Sequence, residues 1–317
     1  MALVTVTAYA NALATNVMAR DLEFLLAQRP FMRQLCAYKG DILGRGSAVI
    51  KVGQIDYGDT ADEVAEGAST SSTNITTATY SLTPARYAIE RDISDLVGMA
   101  SGTGFLDPRS LAEFNFVALM RGFDGALCSA AGALTNTVGS TGVDMTVTDW
   151  FSAVQQLTTT RAVGPKAAVF APNSFNELQS DLRGEVGPYQ LDTSVQAIVA
   201  DASGGNFVGR LSGVDIWVSS QCAGTANGGA DNGNFMCLLP GGTMDAGGRR
   251  LGSACFGYAE GSPGPTVIDG ARVMSGTTVY TDISRDNQAA STRIVSNYFF
   301  AVGVAEEDKG VGIFTDA

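Results

Sequence analysis

Two stretches of alternating apolar and polar residues flank a long acidic segment, and this pattern constrains the fold more than any other. The alternation covers 47–53 and about 75–93 and predicts two β-strands. Between them, 54–74 is polar and contains no lysine or arginine. We therefore expect an extended β-hairpin with an acidic tip. Because a two-stranded hairpin is only marginally stable in water, it needs another surface to lie against. The tip acids are Asp56, Asp59, Asp62, Glu63 and Glu66.

The absence of histidine excludes several kinds of active site. The 317 residues are 45% hydrophobic, which is enough for a large core, yet none is histidine. A Ser-His-Asp triad, a Cys-His pair and a histidine-ligated zinc ion are therefore impossible. The P-loop, the dinucleotide-binding glycine motif, G-x-S-x-G and S-x-x-K are absent too. We expect no enzymatic activity, no catalytic residues, no cofactor and no metal site.

Acidic clusters leave one enzymatic alternative, a carboxylate-dependent hydrolase. The clusters are Asp62-Glu63 and Glu306-Glu307-Asp308, and paired carboxylates are the catalytic groups of glycosidases. Solvated surface charge is the simpler interpretation. The two tryptophans, Trp150 and Trp217, occupy apolar helix or strand positions, where core packing is expected rather than sugar stacking.

The charge balance argues against a protein that grips nucleic acid. Lysine and arginine together number 20 against 32 acidic residues, which gives a net charge of −12. Tight phosphate binding needs clustered basic residues, and the only adjacent basic pair is Arg249-Arg250. Any contact with DNA should therefore be weak and non-specific.

Five cysteines without a C-x-x-C spacing predict free, buried thiols rather than a disulfide framework or a zinc ribbon. No stretch reaches the length of a membrane helix, and the first residues lack a basic signal-peptide region. We therefore expect synthesis in the cytoplasm and no membrane partner.

The rest of the chain predicts an α+β fold. Asp107-Pro108 precedes an apolar stripe at helical spacing, which predicts a long helix over 107–131. A compact region of helices and strands follows, with a helix expected at 192–202 and a loop at 225–234, which is rich in Gly, Asn and Asp. Long strands fill the last fifty residues.

The order of these elements resembles a tailed-phage major capsid protein of the Hong Kong 97-type fold. Three segments carry the resemblance: 62–67, DEVAEG, resembles the family's extended loop, and 87–95, YAIERDISD, resembles the passage from that loop to the spine helix. The segment 207–218, FVGRLSGVDIWV, resembles a strand of the axial domain, with Asp215 where proline is common.

The resemblance implies a division of the chain and a mechanical function. Copies would form hexamers and pentamers that close into an icosahedral shell around double-stranded DNA. An encapsulin-like nanocompartment shares this architecture and stays open as an alternative. The expected divisions are an N-terminal arm at 1–45, an extended loop at 46–92, a peripheral domain with the spine helix at 93–144, an axial domain at 145–265 and returning peripheral strands at 266–317.

The resemblance also implies partners and contact residues. A separate scaffolding protein, a portal and a cement or decoration protein are expected, with assembly in the host cytoplasm and a final location in the virion. We expect the five tip acids to dock on arginines of an adjacent subunit, where charge would set register more than stability. The candidate arginines are Arg109, Arg121, Arg249 and Arg250.

Overall fold

A computed structural model of the chain combines helices with mixed β-sheets, and the predicted α+β class is confirmed. The structure describes residues 31–42, 48–55, 77–96, 108–159, 164–186, 207–242, 249–261, 267–268, 271–272 and 279–316.

Three helices begin where local sequence favours a helix start. The long helix α1 (Pro108–Ala131) matches the helix predicted over 107–131 and has proline at its first position. Helix α2 (Val147–Thr159) is preceded by Thr146, whose hydroxyl accepts the Asp149 N–H while the Asp149 carboxylate accepts the Thr146 N–H, both at 3.2 Å. This reciprocal pair caps the first turn. Helix α3 (Pro172–Val186) also begins at a proline.

A five-stranded sheet is organised around its longest strand, β14 (Ser291–Val304). Strand β4 (Ala85–Ser94) runs antiparallel along one edge of β14. The other edge pairs with β13 (Val279–Asp286) and then β10 (Phe256–Gly261), both antiparallel. Strand β1 (Ala37–Asp41) continues the sheet beyond β10 in parallel.

A six-stranded sheet forms the second layer, and both of its faces are covered. Along β9 (Asp231–Leu238), Phe235 and Cys237 belong to the cluster that contains α1, whereas Met236 packs with Trp150 of α2 and Leu178 of α3. Because successive strand residues point to opposite faces, every residue of β9 is buried. The strand order is β5 (Thr137–Gly139), β15 (Gly310–Asp316), β9 (Asp231–Leu238), β6 (Lys166–Phe170), β8 (Val214–Val218) and β7 (Phe207–Leu211).

Helix α1 packs between the two sheets. Its Phe123 contacts Tyr258 of β10 edge-on at 5.6 Å and Phe300 of β14 at 5.2 Å between ring centroids. Phe235 of β9 meets Phe256 of β10 at 5.2 Å, so the sheets also touch each other directly. Aromatic pairs of this geometry add to the free energy gained from burying their area.

Two short strand pairs lie outside these sheets. Strands β2 (Ile50–Ile55) and β3 (Thr77–Leu82) pair antiparallel and form the predicted hairpin. Pro84 separates β3 from β4, so the stretch predicted as one strand over 75–93 is two strands in the structure. Strands β11 (Val267–Ile268) and β12 (Ala271–Arg272) form the other pair.

The predicted loop at 225–234 is wrong in its last four residues, because β9 begins at Asp231. Asn232 and Asn234 are buried there. The Asn234 side-chain oxygen accepts the Ala171 N–H at 2.7 Å, and its amide donates to Ser174 at 3.0 Å. The helix predicted at 192–202 lies outside the described residues.

The pairing of the strands does not follow the segment boundaries expected from the resemblance. Strand β5 precedes 145 and β15 follows 265, yet both pair in the six-stranded sheet. Strand β10 precedes 266 but pairs with β14 in the five-stranded sheet. The division into domains stays a prediction.

Candidate subunit-contact surfaces

The described part of the hairpin is anchored at its base. Ile50 and Leu82, which pair across the hairpin, pack on Ala259 of β10 in a small buried cluster. Gly257 makes room for this contact, because a Cβ atom there would lie 2.7 Å from the Tyr80 hydroxyl. Farther along the strands, Gly53 and Thr79 pair with each other and are exposed. The base is therefore anchored, whereas Gly53 and Thr79 are open to a neighbour.

The acidic tip of the hairpin lies outside the described residues. Its predicted contact residues are Asp56, Asp59, Asp62, Glu63 and Glu66, and their docking stays a prediction.

Phe31 and Met32, the first described residues, lie between the long helix and the six-stranded sheet. Phe31 stacks on Trp217 of β8 with ring centroids 4.8 Å apart and 14° between the planes. The Asp124 carboxylate on α1 accepts the N–H groups of Phe31 and Met32, each at 3.3 Å. Burial raises the pKa of Asp124 to about 7, and the two N–H donors limit the rise. Residues 31–32 are thus tied to both α1 and β8.

Arg249, one of the arginines predicted to meet the acidic tip, is part of an ion cluster within its own chain. Its guanidinium lies 3.2 Å from the fully buried carboxylate of Glu260 and 4.4 Å above the Tyr38 ring. Arg33 pairs with the same carboxylate at 2.5 Å, and Tyr298 donates to it at 3.0 Å. Burial raises the pKa of Glu260, and the two guanidinium groups oppose that rise.

The other three candidate arginines are spread over the molecule. Arg250 follows Arg249, and its carbonyl accepts the Tyr38 N–H at 2.8 Å. Arg109 and Arg121 belong to α1, twelve positions apart in sequence, and Arg121 is half-buried. Arg249 and Arg250 thus lie beside strands β1 and β10, whereas Arg109 and Arg121 lie on the long helix α1.

Helix α2 presents an uncharged face that sequence reasoning missed. Trp150, Ala153 and Leu157 face the core, and the side chain of Phe151 is 52% exposed. The only charged residue of α2, Asp149, is half-buried and bonded to Thr146. A helical projection would have predicted this exposure. Phe151 lies about 100° around the helix from Trp150 and therefore points away from the buried face. The exposed positions are Thr148, Phe151, Gln155, Gln156, Thr158 and Thr159.

A groove of about 370 Å³ runs along this face of α2. Its lining includes Gln155, Gln156 and Ser152 from the helix, with Asn136 and Asp308 on the opposite side. The amide and hydroxyl groups of this lining can both donate and accept hydrogen bonds, and Asp308 contributes one carboxylate.

In the acidic cluster Glu306-Glu307-Asp308, the first two carboxylates form ion pairs or hydrogen bonds within the chain. Glu306 pairs with Lys309 and accepts a hydrogen bond from Ser253, and Glu307 accepts the Thr135 hydroxyl at 2.7 Å. In the described part of the chain, no group of cysteine and carboxylate side chains is arranged to hold a metal ion. No helix described here has the length and hydropathy needed to span a membrane.

Comparisons with known proteins find likeness in structure only. No protein-family model matches the sequence, and no curated protein matches it. The capsid structure of the cyanophage P-SCSP1u is 11% identical, with 91% of this chain and 88% of that chain covered and a TM-score of 0.60. A structure from Mycobacterium phage Che8 is 12% identical over 90% and 91% of the two chains, with a TM-score of 0.58.

A third structure, the capsid of Ralstonia phage GP4, is 10% identical, with 92% of each chain covered and a TM-score of 0.56. At these identities the likeness concerns the fold. It extends over about nine-tenths of both chains. The chain has the tailed-phage capsid fold that the sequence resemblance indicated.

Proposed function

We propose that this chain is the major capsid protein of a tailed bacteriophage, whose copies close into an icosahedral shell around double-stranded DNA. The observation that carries the proposal is the capsid fold, matched over about 90% of this chain and of its structural neighbours. The hairpin supports it, because β2 and β3 extend beyond the small cluster at their base and need a neighbouring surface.

The division of labour follows the resemblance. The part of residues 1–45 that precedes Phe31 would form an arm over a neighbour, and the part of 46–92 that precedes β4 would form the extended loop. The five-stranded sheet with α1 would be the peripheral part, and the six-stranded sheet with α2 and α3 the axial part. Copies would assemble as hexamers and pentamers, with many weak contacts giving a stable closed shell.

We assign two kinds of surface to contacts between copies. The first is the acidic tip, which would meet arginines of a neighbour. The candidate arginines stay Arg109, Arg121, Arg249 and Arg250, and Arg249 would have to meet the tip while it pairs with Glu260 of its own chain. The second is the uncharged face of α2. A chain of net charge −12 repels its own copies, and a face without charge lets them approach.

The remaining partners follow from a shell that packages DNA. A separate scaffolding protein, a portal and a cement or decoration protein would join the shell. DNA would be contacted weakly, since the acidic balance disfavours phosphate binding. The protein would assemble in the host cytoplasm, reside in the virion and act without catalysis, cofactor or metal.

An encapsulin-like shell is the alternative within the same architecture, and its particles would enclose protein rather than DNA. A carboxylate-dependent hydrolase is the alternative from another class. The structural bonds of Glu306 and Glu307 weigh against it.

Negative-stain electron microscopy of the purified recombinant chain, with sizing by light scattering, tests the proposal. We expect closed shells or rings of capsomers, alone or after addition of a scaffolding protein. A chain that remains monomeric under both conditions would overturn it.

Charge reversal at the tip tests the docking of the hairpin. Glu63→Lys with Glu66→Lys should impair shell closure while the subunit stays soluble. Normal shells from this double variant would refute the docking of the tip on arginines and leave the capsid proposal intact.

A further inference from the structure

We propose that Cys128 and Cys222 are an oxidisable pair that forms a disulfide within the subunit. Their sulfur atoms lie 2.9 Å apart, and both side chains are buried. Cys128 belongs to α1, and Cys222 ends the short 3-10 turn Ser220–Cys222 that follows β8. The bond would therefore link the long helix to the six-stranded sheet. The proposal stands independently of the capsid function.

The geometry selects this pair from the five cysteines, all of which lie in described residues. Cys128 and Cys222 are the two described thiols that are joined by a hydrogen bond. The thiol of Cys36 points to the Met32 carbonyl at 3.7 Å, and Cys237 and Cys255 are enclosed in the core between the sheets. Cys128 also lies 3.6 Å from the Met32 sulfur.

The turn that carries Cys222 is held in place before any bond forms. The Cys222 N–H donates to the Ser219 carbonyl at 3.3 Å, and the Cys222 carbonyl accepts the Thr225 hydroxyl at 2.9 Å. The Ser219 hydroxyl accepts the Gln221 N–H at 3.2 Å. Cys128 is held in place because it lies within helix α1. Two held thiols in contact favour reaction with each other over reaction with a thiol from solution.

Burial decides which oxidant can act. Burial raises the pKa of Cys128 well above its usual value, and the neighbouring Cys222 thiol adds to the rise. Little thiolate is then present at neutral pH, so the pair reacts slowly with any oxidant, and burial also shields it from bulky disulfide catalysts. A small neutral peroxide, such as hydrogen peroxide, is the oxidant that fits a buried site.

The reaction balances with one molecule of peroxide. One thiol, after loss of its proton, attacks a peroxide oxygen, which breaks the O–O bond, forms a sulfenic acid and releases one water. The second thiol then attacks the sulfenic sulfur, which forms the S–S bond and releases a second water. The two sulfur atoms lose two electrons in total, and the peroxide gains them.

Differential alkylation of the full chain tests the proposal. The chain is treated with hydrogen peroxide or with a phosphine reductant, unfolded, alkylated with iodoacetamide and examined by mass spectrometry. We expect five alkylated cysteines after reduction. After oxidation we expect two fewer, with a cross-linked peptide that contains Cys128 and Cys222 and a higher thermal unfolding midpoint.

Two serine variants complete the test. Cys222→Ser should lose both the cross-linked peptide and the oxidation-dependent rise in midpoint, whereas Cys255→Ser should keep both. The peptide map of the unaltered chain decides the question even if a variant fails to fold. Five alkylated cysteines after peroxide treatment, a link between other cysteines, or sulfinic acid at Cys128 without a link would each overturn the proposal.

Discussion

The backbone N–H of Phe31 donates to the side-chain carboxylate of Asp124, which lies 93 residues farther along the chain. The same carboxylate accepts the Met32 N–H. Among the described residues, no lysine or arginine forms an ion pair with it. A single buried carboxyl group thus holds the point at which the N-terminal segment meets the long helix, and its protonation should matter to stability.

Asp124 should make stability fall as pH rises from about 4 to about 7. Burial raises its pKa to about 7 in the folded chain, whereas an unfolded aspartate titrates near 4. Between these values the folded chain binds more protons than the unfolded chain, so the free energy of unfolding decreases with pH and levels off above 7.

Urea unfolding of wild type and Asp124→Asn at four pH values across this window measures the effect. The asparagine does not titrate, so the stability of wild type relative to the variant should be greatest near pH 4 and smallest above pH 7. A difference that stays constant across the window would contradict the prediction.

Replacing Glu260 should destabilise the chain far more than breaking an exposed ion pair. Glu260→Gln leaves the guanidinium groups of Arg33 and Arg249 without their buried anion, and we expect a loss of about 3 kcal/mol. Asp215→Asn is the matched control, because Asp215 pairs with the exposed Arg210 and its loss should cost less than about 1 kcal/mol. Denaturant unfolding of both variants makes the comparison. Equal losses would show that the buried cluster contributes no more than the surface pair.

Gly257→Ala should loosen the hairpin at its base. A Cβ atom at 257 would meet the Tyr80 hydroxyl at 2.7 Å, and Tyr80 is a rigid ring held in the cluster around Ile50 and Leu82. We expect a loss of about 1–3 kcal/mol and faster proteolysis within the hairpin. Gly53→Ala, in β2, has nothing within 4 Å of the new methyl group and should be neutral. Unaltered proteolysis of Gly257→Ala would show that the close contact does not fix the hairpin.

A charge on the uncharged face of α2 should weaken assembly and leave the subunit folded. Phe151→Lys places an ammonium group on a face that we assign to contacts between copies. Ser180→Lys puts the same charge on an exposed position of α3 and serves as the control. Particle yield by light scattering should fall for Phe151→Lys alone, with both variants unfolding at the wild-type temperature. Equal yields from the two variants would remove α2 from the contact surfaces.

The sequence predicted those elements whose signals are local. Helix α1 was predicted within one residue of its bounds, because Pro108 marks its start and its apolar stripe continues for several turns. The hairpin strands β2 and β3 were predicted from alternation, with an error where Pro84 interrupts the pattern.

The errors concern features that depend on distant residues. The first residues of β9 resemble a loop in composition, yet Asn234 is held in the sheet by Ser174 and Thr315, which are 60 and 81 positions away. The pairing of Arg249 with Glu260 was likewise not predicted, because no local pattern reveals it; the contact of Arg249 with another subunit stays a prediction. The exposure of Phe151 depends on which face of α2 meets the six-stranded sheet.

The order of the strands along the chain restricts when a newly made subunit can fold. Strand β14 comes after β4, β10 and β13, all of which pair with it, and β15 comes after both of its neighbours, β5 and β9. During synthesis, neither sheet can be completed until these late strands have left the ribosome. Strand β10, on which the base of the hairpin packs, also gains its β14 neighbour only then. Translation itself thus delays association until each polypeptide has been made far enough to fold.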